Sequence, residues 1–232
     1  MKLTIEFKGS IYKDGKQQIF SKDIRRYIGS IVSEKYKDLF LWHEKKPSPF
    51  LYLKPYDGYF EILSYRHDLI DAFEHLISRI TLNPIIKLNG IDVEVTRVMP
   101  RESSFPVIKE GIYHYRTRTP IIIGSSKTDH AIYNELKHDE EALKNYTRDL
   151  MIESVQYQIK EYFGEEFSEI ENAVISFDTF KHFTTRCYHN DSFEYHPAVW
   201  CEFTSTFSLP QMIGYKFGMG HGHIVPVKEK RV

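Results

Sequence analysis

The feature that most constrains this chain is the order in which two hydrophobic periods follow each other over its first hundred residues. Leu3, Ile5 and Phe7 alternate with Lys2, Thr4, Glu6 and Lys8, the period-two pattern of a half-buried strand. From Ser21 to about Leu41 the apolar residues Ile24, Ile28, Ile31, Val32 and Leu39 fall at helical spacing. Ser21 is placed to cap that helix and Asp23 lies in its first turn. Pro47 and Pro49 stop any helix and favour extended backbone before them. Phe50 to Lys54 and Tyr59 to Leu63 then read as paired strands around an Asp57-Gly58 turn. A second helix is expected from His67 to Thr81, with Leu69, Ile70, Phe73, Leu76, Ile77 and Ile80 on one face. Asn89-Gly90 between Ile85–Leu88 and Ile91–Val95 predicts a hairpin. The sum is β-α-β-β-α-β, the ferredoxin-like unit.

The remainder repeats the theme. Pro100 to Pro106 reads as a linker, giving expected domains 1–105 and 106–232. Gly111 to Ile123 reads as strand. Asp139 can cap a long helix to Phe163, with Leu143, Tyr146, Leu150, Val155, Ile159 and Tyr162 on its buried face. Two β-rich stretches, Ala173 to Tyr188 and Phe193 to Phe207, meet at Asn190-Asp191, and Ile224 to Val227 forms a last strand. No strong second helix is visible there. The expected class is α+β: tandem ferredoxin-like (RRM-like) β-α-β-β-α-β units, the second degenerate, with a C-terminal glycine-rich loop.

That loop spans Gly214 to Gly222 and holds four glycines, Gly214, Gly218, Gly220 and Gly222. Glycine permits close backbone approach and the positive φ angles that turn N–H groups toward an anion. Lys216, His221 and His223 add protonatable groups, so a phosphate suits the loop. It matches neither the P-loop nor the dinucleotide fingerprint. A plain turn before a strand fits equally well.

A second chemical signal lies where the first helix gives out. His43 follows Tyr36 by seven residues, two helical turns, and Lys45 and Lys46 come next. Histidine, tyrosine and lysine can supply acid–base groups and a cation. Such a set can cleave RNA without metal: the 2′-hydroxyl attacks the adjacent phosphorus, one group takes its proton and another protonates the leaving 5′-oxygen. A solvated helix end is the plain alternative. Arg25, Arg26, Arg116, Arg118 and Lys127, with Lys181 and Arg186, can line a phosphate track.

Bulk properties narrow the classes. Net charge is −1 over 232 residues, so any basic surface is local. The only cysteines are Cys187 and Cys201, without CxxC, which argues against a disulfide framework or zinc knuckle. The histidines are scattered and no HExxH occurs, so no metal and no cofactor are expected. No signal peptide or membrane-length apolar run is visible, and a soluble cytoplasmic protein is expected.

Ile24-Arg25-Arg26-Tyr27-Ile28-Gly29, then Leu39-Phe40-Leu41-Trp42-His43, then Pro49-Phe50-Leu51-Tyr52 resemble the N-terminal half of the CRISPR-associated repeat-processing endoribonucleases of the RAMP superfamily. Gly214 to Val225 is similar to that family's C-terminal glycine-rich segment. Gly220-His221-Gly222 or Gly218-Met219-Gly220 can match its paired glycines. The resemblance implies metal-free cutting of CRISPR precursor RNA within repeats, leaving a 2′,3′-cyclic phosphate and a 5′-hydroxyl. It implies that His43 is catalytic, with Tyr36 beside it and Lys45, Lys46 or Lys54 as the lysine. It further implies repeat RNA as partner, with or without other effector subunits, and a monomer or homodimer. A non-catalytic RNA-binding RAMP subunit and an unrelated ferredoxin-like ligand-binding module are the alternatives.

Overall fold

The computed structural model describes residues 1–40, 49–103, 107–163, 168–189 and 192–227. The chain forms two compact units, Met1–Ser104 with Gly218–Gly220, and Phe105–Phe217 with His221–Val232.

The first unit runs β1 (Lys2–Lys8), β2 (Tyr12–Lys13), β3 (Lys16–Gln17), α1 (Ser21–Ile31), α2 (Glu34–Phe40), β4 (Leu51–Tyr52), β5 (Tyr59–Leu63), α3 (Ile70–Leu82), β6 (Ile85–Leu88) and β7 (Ile91–Arg101). Its main sheet has the order β4-β5-β1-β7-β6, with every pair antiparallel. Leu3 and Ile5 of β1 are fully buried and share a core with Ile24 and Ile28 of α1 and Phe73, Leu76 and Ile80 of α3. Each such side chain contributes roughly 1.5–3 kcal/mol on burial. Asn89 (φ 49) and Gly90 (φ 80) make the β6–β7 turn in the left-handed conformations that a two-residue hairpin needs.

Three local expectations are corrected. Residues 9–18, whose polar sequence reads as a loop, hold the β2–β3 hairpin, turned by Asp14 (φ 51) and Gly15 (φ 71). The fully buried Ile11 and Ile19 flank it. Ser21 is not the cap of α1. Its Oγ donates to the Leu53 carbonyl at 3.1 Å, and the Asp23 carboxylate reaches back to the Phe20 N–H at 2.9 Å. The expected single helix is two, because Val32 turns extended at ψ 149. The break is served from α3: the Ser33 N–H donates to His75 Nε2 at 3.1 Å, and Arg79 Nε donates to the Ile31 carbonyl at 2.9 Å. Helix ends need such partners for their orphan backbone groups.

The second unit contains β8 (Glu110–Thr117), β9 (Ile121–Ile122), α4 (Lys127–Leu136), α5 (Glu140–Phe163), β10 (Ile175–His189), β11 (Ser192–Phe207) and β12 (Ile224–Pro226). The sheet order is β10-β11-β8-β12, with β9 also on β11. Leu143, Leu150, Met151, Val155 and Ile159 of α5 pack in one core with Tyr115, Val199, Cys201 and Phe203 of the sheet. Asp139 caps α5 as expected, accepting the Ala142 N–H at 3.0 Å. Helix α4 was not expected, since Tyr133 is its one buried residue. A capping box starts it: the Asp129 N–H donates to Ser126 Oγ at 3.1 Å, and the Ser126 N–H donates to Asp129 Oδ2 at 2.8 Å. Residues 208–223 contain no α-helix; Phe217–Met219 form a short 3₁₀ turn, and Met212 bridges to His223 and Tyr215 to Ile122. None of the described helices is long and apolar enough to cross a membrane.

Candidate functional site

His43, Lys45 and Lys46 lie outside the described residues. The chain on either side of them is firmly held. Phe40 and Phe50 are fully buried and their rings stack with centroids 4.1 Å apart. Phe50 also meets the edge of Phe73 at 5.0 Å. Tyr52 Oη donates to the Phe40 carbonyl at 2.7 Å. Burial drives the Tyr52 phenol far above its ordinary range, so Tyr52 acts as a hydrogen-bond donor and not as a base.

Several candidates gather around Tyr52 in the first unit. Gly220 is buried at φ +85, and a Cβ there would stand 2.7 Å from the Lys54 nitrogen and 2.8 Å from both Ser21 Oγ and the Tyr52 carbonyl oxygen. Two of these neighbours are backbone, so only glycine permits the approach. Arg25 lies one turn beyond Ser21 and is half-buried. Burial lowers its pKa and Tyr52 partly opposes this, yet a guanidinium keeps its charge. Lys54 is half-buried, Arg26 is exposed, and Gly218 has open space where a Cβ would stand. Tyr36 sits apart on α2, packed against the core with its ring 5.0 Å from that of His75. Its hydroxyl accepts from Lys35 Nζ at 3.0 Å.

The parts of the glycine-rich loop that belong to the second unit, up to Phe217 and from His221 on, consume much of their own backbone. The Gly214 N–H donates to Ser154 Oγ at 2.9 Å, the Tyr215 N–H to the Ile122 carbonyl at 3.0 Å, and the Gly222 N–H to the Pro120 carbonyl at 2.8 Å. The Ile213 N–H donates to the Gly222 carbonyl at 3.0 Å, and the His223 N–H to Thr119 Oγ1 at 2.9 Å. Gly222 sits at φ +69, and a Cβ on it would fall 1.7 Å from the Ile213 oxygen. The amides of Gly214, Tyr215 and Gly222 are therefore spent inside the fold, and any anion must be met at the tip.

Lys216, at φ 54, places Nζ 3.5 Å from Glu194 Oε2. The same oxygen lies 3.1 Å from His196 Nε2. His196 Nδ1 stands 3.1 Å from the Gly124 carbonyl oxygen and 3.4 Å from His130 Nε2. Burial, then Lys216, lowers the His196 pKa, while Glu194 and the Gly124 carbonyl pull the other way. His221 Nε2 is 3.4 Å from Cys187 Sγ, and burial pushes that thiol up to about 11, with Lys216 lowering and Glu194 raising it. A thiol held there is protonated at neutral pH and is no nucleophile. Sequence reading missed Glu194, His196, His130 and Cys187 as a group, because positions 130, 187, 194 and 196 share no readable spacing.

Arg116 and Arg118 are exposed. Arg116 opposes Glu202 across β8 and β11, and Arg118 follows the strand, its N–H donating to the His223 carbonyl at 2.6 Å. Lys127 is the exposed first residue of α4. Among the described residues no group of three or more His, Cys, Asp or Glu could hold a metal ion.

No family model matches the sequence, and no curated protein matches it. Solved structures do. A structure of Cas6b aligns with a TM-score of 0.69 at 15% identity, covering 98% of this chain and 100% of that one. A RAMP protein binding different RNA substrates aligns with a TM-score of 0.63 at 15% identity, covering 98% and 100%. A CRISPR RNA processing endoribonuclease Cas6b aligns with a TM-score of 0.54 at 15% identity, covering 97% and 98%. At such identities the likeness is one of fold. Along its whole length, the chain has the fold of the Cas6 CRISPR RNA-processing endoribonucleases.

Proposed function

We propose that this chain is a metal-independent endoribonuclease that cuts CRISPR precursor RNA within its repeats. The observation that carries the reading is the end-to-end fold match, nearly complete for both partners. The two units are read as tandem ferredoxin-like domains. In support, β4-β5-β1-β7 and β10-β11-β8-β12 both place the second, third, first and last strands of a β-α-β-β-α-β unit side by side. The second unit lacks the second helix, and β6 is an added edge strand in the first.

In this reading His43 moves the proton, assisted by Tyr36 and by Lys45 or Lys46. The 2′-hydroxyl attacks the neighbouring phosphorus, the P–O5′ bond breaks, and a 2′,3′-cyclic phosphate and a 5′-hydroxyl result. Arg25, Arg26, Arg118 and Lys127 meet phosphates, and Arg116 also contacts the RNA. The loop contributes Lys216, Gly218 and His221 at its tip, while Gly220 and Gly222 fix its path. The partner is repeat RNA, with or without other effector subunits, in the cytoplasm, with the protein a monomer or homodimer. Labelled repeat RNA incubated with excess EDTA tests the proposal, and one defined cut is expected. His43→Ala should slow that cut about 10²–10⁴-fold and leave affinity within a few-fold. A wild-type rate in the variant removes His43 from the mechanism.

A second reading, an RNA-binding RAMP subunit without cleavage, draws on the packing of Tyr36. Its hydroxyl is engaged by Lys35 and its ring by His75. A gel shift without cutting selects it.

A further inference from the structure

We infer that the open face of β8, β10 and β11 holds one unpaired RNA base, and that the base it selects is guanine. A shallow hollow of about 270 Å³ lies on this face, lined by Arg116, Thr179, Lys181, Trp200 and Glu202 among others. Pockets for drug-sized ligands run to roughly 300–1,000 Å³, so this one is sized for a single nucleotide. Its chemistry is set by strand register. Arg116 stands directly opposite Glu202, and Glu202 opposite Thr179, in one row across the three strands. Trp200, two residues before Glu202 and so on the same face, stands opposite Lys181.

Trp200 is 39% exposed although it is a large aromatic on a regular strand. Arg116, Lys181 and Glu202 are all exposed. Opposite charges facing each other across a sheet ordinarily attract, yet among the described residues none of the three makes an ion pair. An aromatic face, a carboxylate and two uncommitted cations thus share one depression.

An aromatic side chain stacks on any base. Glu202 adds selection, because a carboxylate only accepts hydrogen bonds. Guanine offers it two adjacent donors, N1–H and the 2-amino group, and offers Arg116 the neighbouring O6 as acceptor. Uracil offers one donor flanked by two carbonyl oxygens, which the carboxylate repels. Lys181, beside Trp200, is placed for the phosphate.

The inference rests on RNA as the ligand but not on cleavage. The chain has two tryptophans, Trp42 and Trp200, hence two indole N–H signals in a ¹H–¹⁵N spectrum, and Trp200→Phe identifies which is which. Titration of the whole chain with GMP should move the Trp200 signal saturably, and UMP should bind about tenfold more weakly. Glu202→Gln should weaken GMP about tenfold, the scale of a lost two-point base contact, while leaving UMP unchanged. Equal response to GMP and UMP, no response to either, or a GMP response unaltered in Glu202→Gln overturns the site. If the nucleotide arm fails while repeat RNA is still cut, the endoribonuclease reading survives alone. If GMP binds as expected and repeat RNA is bound but not cut, the site survives and the endoribonuclease reading falls.

Discussion

The segment between β5 and β6 and the segment between β11 and β12 occupy the same place in the order of their sheets, and they are built in opposite ways. The first is mostly α3, a 13-residue helix that buries Ala72, Phe73, Leu76 and Ile80. The second is residues 208–223, with no α-helix. A helix satisfies its interior amides itself and needs from the rest of the chain chiefly an apolar surface to lie on, with partners only at its ends. The loop must borrow: its amides go to Ser154, Ile122, Pro120 and Thr119. Where two backbones touch, at Gly222 against Ile213, it also needs glycine. Stability is spread over many replaceable contacts in the first segment and concentrated at a few irreplaceable positions in the second.

The sharpest way to break this contrast is Gly222→Ala. A methyl 1.7 Å from the Ile213 oxygen, at φ +69, should cost more than about 4 kcal/mol, seen as loss of the cooperative urea transition in tryptophan fluorescence. A variant within about 1 kcal/mol of the parent would mean that the loop path is not fixed there. Leu76→Ala, in the fully buried stripe of α3, should cost about 2–5 kcal/mol by urea unfolding followed in the far-ultraviolet circular dichroism. The helix should survive it as a weakened but intact element. Ser154→Ala removes a hydroxyl that accepts from the Gly214 N–H at 2.9 Å and donates to its carbonyl at 3.3 Å. The expected loss is about 1–2 kcal/mol. Gly218→Ala, whose new methyl meets open space, should stay within about 0.5 kcal/mol. A large loss there would extend the loop's rigidity to its tip.

The smallest effect is a pH dependence. His196 has a folded-state pKa below its ordinary value of 6.5, chiefly through burial. As pH falls below about 6.5, the unfolded chain takes up the proton first. Stability is therefore full above that pH and declines as pH drops toward the folded value. His196→Gln should flatten the decline between about pH 7 and pH 5, measured by urea midpoints across that range. An unchanged slope would show that other groups carry it.

The two segments also differ in how far they could be read in advance. Helix α3 was legible because Phe73, Leu76 and Ile80 repeat on one face. The β6–β7 hairpin was legible because Asn89-Gly90 has few other uses. The break between α1 and α2 was not, since Ile24, Ile28, Ile31, Val32 and Leu39 carry an unbroken stripe across it. Its cause lies some forty residues away in sequence, in His75 and Arg79. Helix α4 hid for the opposite reason: its exposed surface gives no stripe, though Ser126 and Asp129 spell a capping box. At the site, the glycines were visible but their use was not. Sequence alone cannot tell a glycine that faces a ligand from one that faces another backbone, and Gly220 and Gly222 are of the second kind. The Glu194–His196–Lys216 contacts depend on β11 and the loop converging, which no spacing announces.

Both cysteines are buried and free. Burial raises the Cys187 thiol to about 11 and that of Cys201 to about 12. At neutral pH neither presents an appreciable thiolate, the form that alkylating reagents attack. With both sulfurs also buried, the native chain is expected to react slowly with maleimide and iodoacetamide. A single cysteine introduced at an exposed position such as Lys127 would be its sole fast labelling point, without removal of either natural thiol. A dye placed there could report the approach of an RNA strand on a chain whose interior is untouched.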